Sequence, residues 1–108
     1  ASYYTANINN EKIITTEFSP LGLDHVWHLY VIRCKERTRL QSFLTQNSIE
    51  TLIHYPIPAH KQKANNSMNN DSLPITEQLS EEVLSLPISP LLMAKEIKII
   101  VDVLCKFR

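Results

Sequence analysis

Two histidines and a tyrosine surround a doubly proline-stiffened turn in the segment His54-Tyr55-Pro56-Ile57-Pro58-Ala59-His60. Prolines lower the entropy lost when a loop orders, so such a turn can hold its polar groups ready for a ligand. The segment is therefore a candidate ligand site. The competing reading is a rigid turn whose histidines merely cap backbone groups. His25 and His28 are three apart on a predicted strand, where side chains alternate faces, so they are poorly placed to grip one metal ion. They read as core or edge histidines. Cys34 and Cys105 belong to no paired cysteine motif, which argues against structural zinc and dithiol redox chemistry. Gly22 is the only glycine, and both the P-loop and the dinucleotide fingerprint need several. No catalytic, cofactor-binding or metal-ligating residue is assigned.

The elements that must position this segment follow from size and pattern. A chain of 108 residues with 44% apolar and 20% charged residues can bury one core and should fold as one domain. Its formal net charge of zero supplies no electrostatic footprint for nucleic acid or an anionic membrane. The apolar run from Ile97 to Leu104 is broken by Lys98 and Asp102 and is far too short to span a bilayer. No secretory leader is expected, and two unpaired thiols suit a reducing, cytoplasmic location, with a disulfide as the alternative.

Tyr4 and Ile8 lie one helical turn apart with nothing before Ala1 to cap a helix, so residues 1–10 read as the end of a longer helix. Pro20 and Gly22 mark a turn. His25 to Cys34 is β-branched and aromatic on both faces and predicts the most secure strand. Leu40, Phe43 and Leu44 predict an amphipathic helix from Glu36 to Asn47. Residues 49–55 return to extended character until Pro56 and Pro58 stop the pairing. Asparagine-rich residues 61–71 predict a mobile loop or a frayed short helix. Thr76 is expected to cap a helix, Leu84 to Ile88 to form a short strip, and Ser89-Pro90 to open a last helix with an apolar stripe of Ile97, Ile100, Val101 and Leu104. The expected fold class is α+β, a small, largely antiparallel sheet flanked by helices.

The ordered set His28-Leu29-Tyr30-Val31-Ile32-Arg33, Leu40 to Leu44, Ile49 to Thr51, Ile53-His54-Tyr55-Pro56 and Leu84-Ser85-Leu86-Pro87 resembles the sugar-nucleotide aminotransferase family often called DegT/DnrJ/StrS. The likeness covers essentially the whole chain. It implies the C-terminal small domain of a fold-type I, pyridoxal-phosphate-dependent enzyme, with residues 1–10 ending the interdomain helix and 11–108 forming the small domain. Ser48 and Glu50 stand where the family commonly has glycine, and Asn47 is expected to take the unusual backbone angle instead.

The resemblance further implies ping-pong transfer of an amino group from an amino acid, with glutamate as the candidate donor, to a keto sugar linked to a nucleoside diphosphate. It implies a role in polysaccharide biosynthesis and an active site formed within a homodimer. His54, Tyr55 and His60, with Gln62 beyond them, would help shape the sugar-nucleotide site. The Schiff-base lysine and the phosphate grip belong to a large domain that this sequence does not contain, so the chain is expected to bind no cofactor and to be inactive alone. The alternative is a free-standing α+β interaction module without catalysis.

Overall fold

The computed structural model describes residues 1–17, 24–68 and 70–108, so the turn expected at Pro20 and Gly22 lies outside the described residues. The elements in chain order are α1 (Ser2–Asn7), β1 (Ile14–Thr15), β2 (Tyr30–Arg33), α2 (Arg37–Gln46), α3 (Pro74–Glu82), β3 (Val83–Leu86) and α4 (Ala94–Lys106). Two 3-10 turns, Ala59–Lys61 and Lys63–Met68, lie between α2 and α3. The strands form an antiparallel sheet in the order β1-β2-β3, giving the α+β class expected from the pattern.

The core forms where β2 and β3 pair, with Tyr30 opposite Leu86 and Ile32 opposite Leu84. All four are buried, and Leu40 and Leu44 of α2 and Ile100, Val101 and Leu104 of α4 join them. Fully burying a side chain of this size contributes about 1.5–3 kcal/mol, so this cluster outweighs any single polar contact around it. The predicted stripe of α4 thus does face the core. α1 packs on α4, and the buried Tyr4 hydroxyl donates to the Pro87 carbonyl at 2.8 Å. Burial, with a smaller contribution from Tyr30, pushes the Tyr4 phenol up to about 12.

Several sequence expectations are corrected. The strand predicted from His25 to Cys34 is only Tyr30–Arg33. His25 Nδ1 accepts the Trp27 amide at 2.9 Å, and Trp27 sits at φ 53°, which breaks the extended run before it reaches the sheet. The strand predicted over 49–55 reduces to one bridge, Leu52 opposite Ser85. Side chains take over on either side of it: Gln41 donates to the Thr51 carbonyl, and His54 bonds Ser85 Oγ.

Thr76 is not the cap of α3. The helix starts at Pro74, whose ring suits the first helical position, and the Glu77 carboxylate accepts the Leu73 amide at 3.3 Å. Ser89-Pro90 does not open α4 but forms a turn, with the Leu91 amide on Ser89 Oγ, and the helix begins at Ala94. The α4 C-terminus is closed from outside: Asn10 Nδ2 donates to the carbonyls of Leu104 and Phe107, both at 2.9 Å, adding to the Phe107 amide that Leu104 already accepts at 3.2 Å.

The end of α2 corrects the expectation for Asn47. Asn47 has φ −98°, and Ser48 takes the left-handed angle at φ 60°. The Ile49 amide bonds the Leu44 carbonyl at 2.9 Å and the Ser48 amide bonds Thr45 at 3.0 Å, a Schellman closure in which Ile49 is buried. The carbonyl geometry requires the left-handed residue one position after Asn47, whatever its side chain. A non-glycine residue there costs roughly 1–2 kcal/mol, partly offset by the greater unfolded-state freedom of glycine. Ser48→Gly should therefore stabilise the protein by about 0.5–1 kcal/mol in urea unfolding. A loss of stability would show that the serine side chain contributes more than its backbone angle costs.

Candidate functional site

Leu52 and Ser85 exchange both backbone bonds, at 3.3 and 2.8 Å, and this pairing brings the chain after Leu52 alongside β3. His54 Nδ1 then meets Ser85 Oγ at 2.9 Å. Ser85 is buried, so its hydroxyl is a fixed partner. Among the described residues the other ring nitrogen of His54, Nε2, has no hydrogen-bond partner, and the ring borders an open groove of about 540 Å3. His28, Thr45, Glu50 and Pro87 line the same groove. Tyr55 is 70% exposed and stands edge-on to His54, with ring centroids 5.6 Å apart. The groove thus combines an apolar floor with a few polar groups able to exchange hydrogen bonds, the usual make-up of a small-molecule site.

His60 is placed differently. It is 2% exposed, its Nε2 lies 2.9 Å from Glu77 Oε1, and its Nδ1 is buried without a partner among the described residues. The structure therefore brings His54 and Tyr55 together and turns His60 inward against α3. The bond with His60, followed by the Leu73 amide, holds the Glu77 carboxyl below the usual carboxylate range. Gln62 donates to the Ile57 carbonyl at 3.1 Å, back across the proline turn. The segment predicted as a mobile loop or frayed helix is built as the 3-10 turns, kinked at Asn65.

Sequence reasoning missed two residues. Ser85 carries a signal, since it is a hydroxyl inside the apolar strip Leu84-Ser85-Leu86, where burial demands a partner. His28 carries none, because its place in the groove depends on the backbone reversal at Trp27. His25 stacks on Trp27 at 4.0 Å.

Every lysine of the described chain is exposed, and none borders the His54 groove. A lysine that holds an aldehyde cofactor is usually enclosed and desolvated. Among the described residues no three His, Cys, Asp or Glu side chains gather as a metal site, and no helix is long and apolar enough to cross a membrane.

The chain matches known proteins along nearly the whole of its own length. The chain is 44% identical over 110 residues to the dTDP-3-amino-3,6-dideoxy-alpha-D-galactopyranose transaminase of Aneurinibacillus thermoaerophilus, covering 99% of this chain and 29% of that protein. The structure of S. venezuelae DesV, solved in complex with a ketimine intermediate, superposes with a TM-score of 0.88 at 32% identity, covering 97% of this chain and 29% of that one. The structure of NtdA from Bacillus subtilis, solved with bound cofactor PMP, superposes with a TM-score of 0.83 at 27% identity, covering 95% and 25%. The chain thus spans under a third of the length of these proteins. The model of the DegT/DnrJ/EryC1/StrS aminotransferase family matches residues 1–105, and the chain belongs to that family.

Proposed function

We propose that this chain is the small domain of a pyridoxal-phosphate-dependent aminotransferase that moves an amino group from an amino acid, with glutamate as candidate donor, to the keto group of a sugar nucleotide. The observation that carries the reading is the His54 groove, set in a chain 44% identical to a transaminase named for a dTDP-amino sugar. Residues 1–10 end the helix that leads from a large domain, and 11–108 form the small domain. Cofactor and Schiff-base lysine belong to that large domain, and a homodimer of the whole protein, in the cytoplasm, completes the site. Its product would feed polysaccharide biosynthesis.

Pyridoxal phosphate, when bound, supplies the electron sink for amino transfer. The part assigned to this chain is recognition. If the Ser85 hydroxyl donates to His54 Nδ1, then Nε2 carries the proton and donates to a phosphate or hexose oxygen, while Tyr55 offers its hydroxyl beside it. His60 supports the turn rather than reaching the substrate. That every lysine here is exposed supports the reading that the chain by itself is inactive.

In the complete enzyme, His54→Ala should lower the half-reaction with a dTDP-linked 3-keto-6-deoxyhexose by roughly ten- to a hundredfold, the worth of a hydrogen bond to a charged group. The half-reaction with the amino acid donor should be spared, because it shares the cofactor but not the nucleotide. Equal losses in both would point to cofactor geometry, and no loss in either would return His54 to a structural role. Ser85→Ala, which frees the imidazole to change tautomer, should produce the same pattern at reduced size in single-turnover measurements. The 108-residue chain, mixed with pyridoxal phosphate and reduced with borohydride, should show no stoichiometric label at any single lysine by mass spectrometry. Capture at one lysine would mean that the cofactor site is in this chain after all.

A further inference from the structure

The segment from His54 to His60 is pinned at both ends to one continuous piece of backbone. One pin is His54 on Ser85 of β3, and the other is His60 on Glu77 of α3, which runs directly into β3. Between the pins, Pro56 and Pro58 fix their own φ angles, so displacement at one end is carried along the segment instead of being absorbed. The second pin gathers several groups. Glu77 Oε1 takes the His60 ring, the Leu73 amide at 3.3 Å and, at 3.7 Å, the Lys61 ammonium. Lys61 also donates to the Asp71 carbonyl and Asn65 to the Ala59 carbonyl, closing the chain around His60.

We propose that Glu77, outside the groove, is a positioning residue that sets where His54 and Tyr55 stand by holding His60 in its buried seat. With a proton on Nε2 the ring donates to Glu77, while Nδ1 is buried without a partner among the described residues. The carboxylate is thus the sole hydrogen-bond partner of the imidazole among the described residues. Without it, both ring nitrogens would be buried and unpaired, and the segment would gain by lifting His60 toward water. Glutamine keeps a carbonyl oxygen for the imidazole and the Leu73 amide, so it should preserve the seat without the charge.

This inference rests on the proposed role of the groove, and its test reads the seat and the function separately. In the complete enzyme, Glu77→Ala should raise hydrogen exchange of the Lys61, Gln62 and Asn65 amides, which close the 3-10 turns. It should also raise KM for the dTDP-linked 3-keto-6-deoxyhexose by about tenfold, with the amino-donor half-reaction within about twofold of the parent, as lost positioning requires. Glu77→Gln should restore both readouts. Unchanged exchange in Glu77→Ala, a loss that Glu77→Gln does not recover, or equal losses in both half-reactions would overturn the assignment. If His54→Ala spares sugar-nucleotide use, the functional reading fails, while the exchange data still decide whether Glu77 holds the segment.

Discussion

A buried strand must pair its backbone groups on both edges or leave polar atoms stranded in the core, and β3 is that strand here. Leu84, Ser85 and Leu86 are all buried. β2 occupies one edge over the full length of the strand, and Leu52 occupies the other at one residue. That single bridge brings the His54 segment to the sheet. The same strand supplies Ser85 to His54, and at its start Glu82 holds Arg33 of β2 through Oε2, at 2.8 and 3.1 Å. Gln78 first, and then Arg33, keep the Glu82 carboxyl below its usual range, so the join between α3 and β3 remains charged and paired at neutral pH.

The polar ties around the core attach segments that lie outside the sheet. Tyr4 reaches Pro87, Thr5 shares a 2.7 Å bond with Tyr30, and Asn10 closes α4, so the first ten residues attach through side chains instead of a ladder. At the other end of α4, the Glu96 carboxylate accepts the Met93 amide at 2.8 Å. Phe107 is buried against Phe43 and carries Arg39 over its ring at 5.0 Å. These contacts are individually modest, about 0.5–1.5 kcal/mol for a hydrogen bond, and their role is to fix where segments run.

The candidate site follows the same logic, with apolar pairing bringing the segment in and polar contacts orienting it. His54 is held by a hydroxyl that is itself immobilised in a strand, which leaves one ring nitrogen open to the groove. His60, six positions later, is the inward-facing counterpart. Two residues of one type in one motif thus have opposite environments, one lining a groove and one sealed against a carboxylate.

Periodicity located α2 and the apolar stripe of α4, because burying one face of a helix imposes a spacing, while β-branched and aromatic composition marked the stretch that holds β2 without saying which strand it pairs with. The motif around His54 was legible for the same kind of reason, since two prolines and three polar rings in seven residues are written in the chain. Element ends were less legible. Pro74 and Glu77, not Thr76, start α3, and Ser48, not Asn47, turns left-handed, because each end depends on which amide and carbonyl find partners. The division of labour between His54 and His60 was decided only by tertiary structure. Their sequence contexts are alike, and what separates them is that Ser85 and Glu77, distant in sequence, meet one ring at the rim of a groove and the other in the interior.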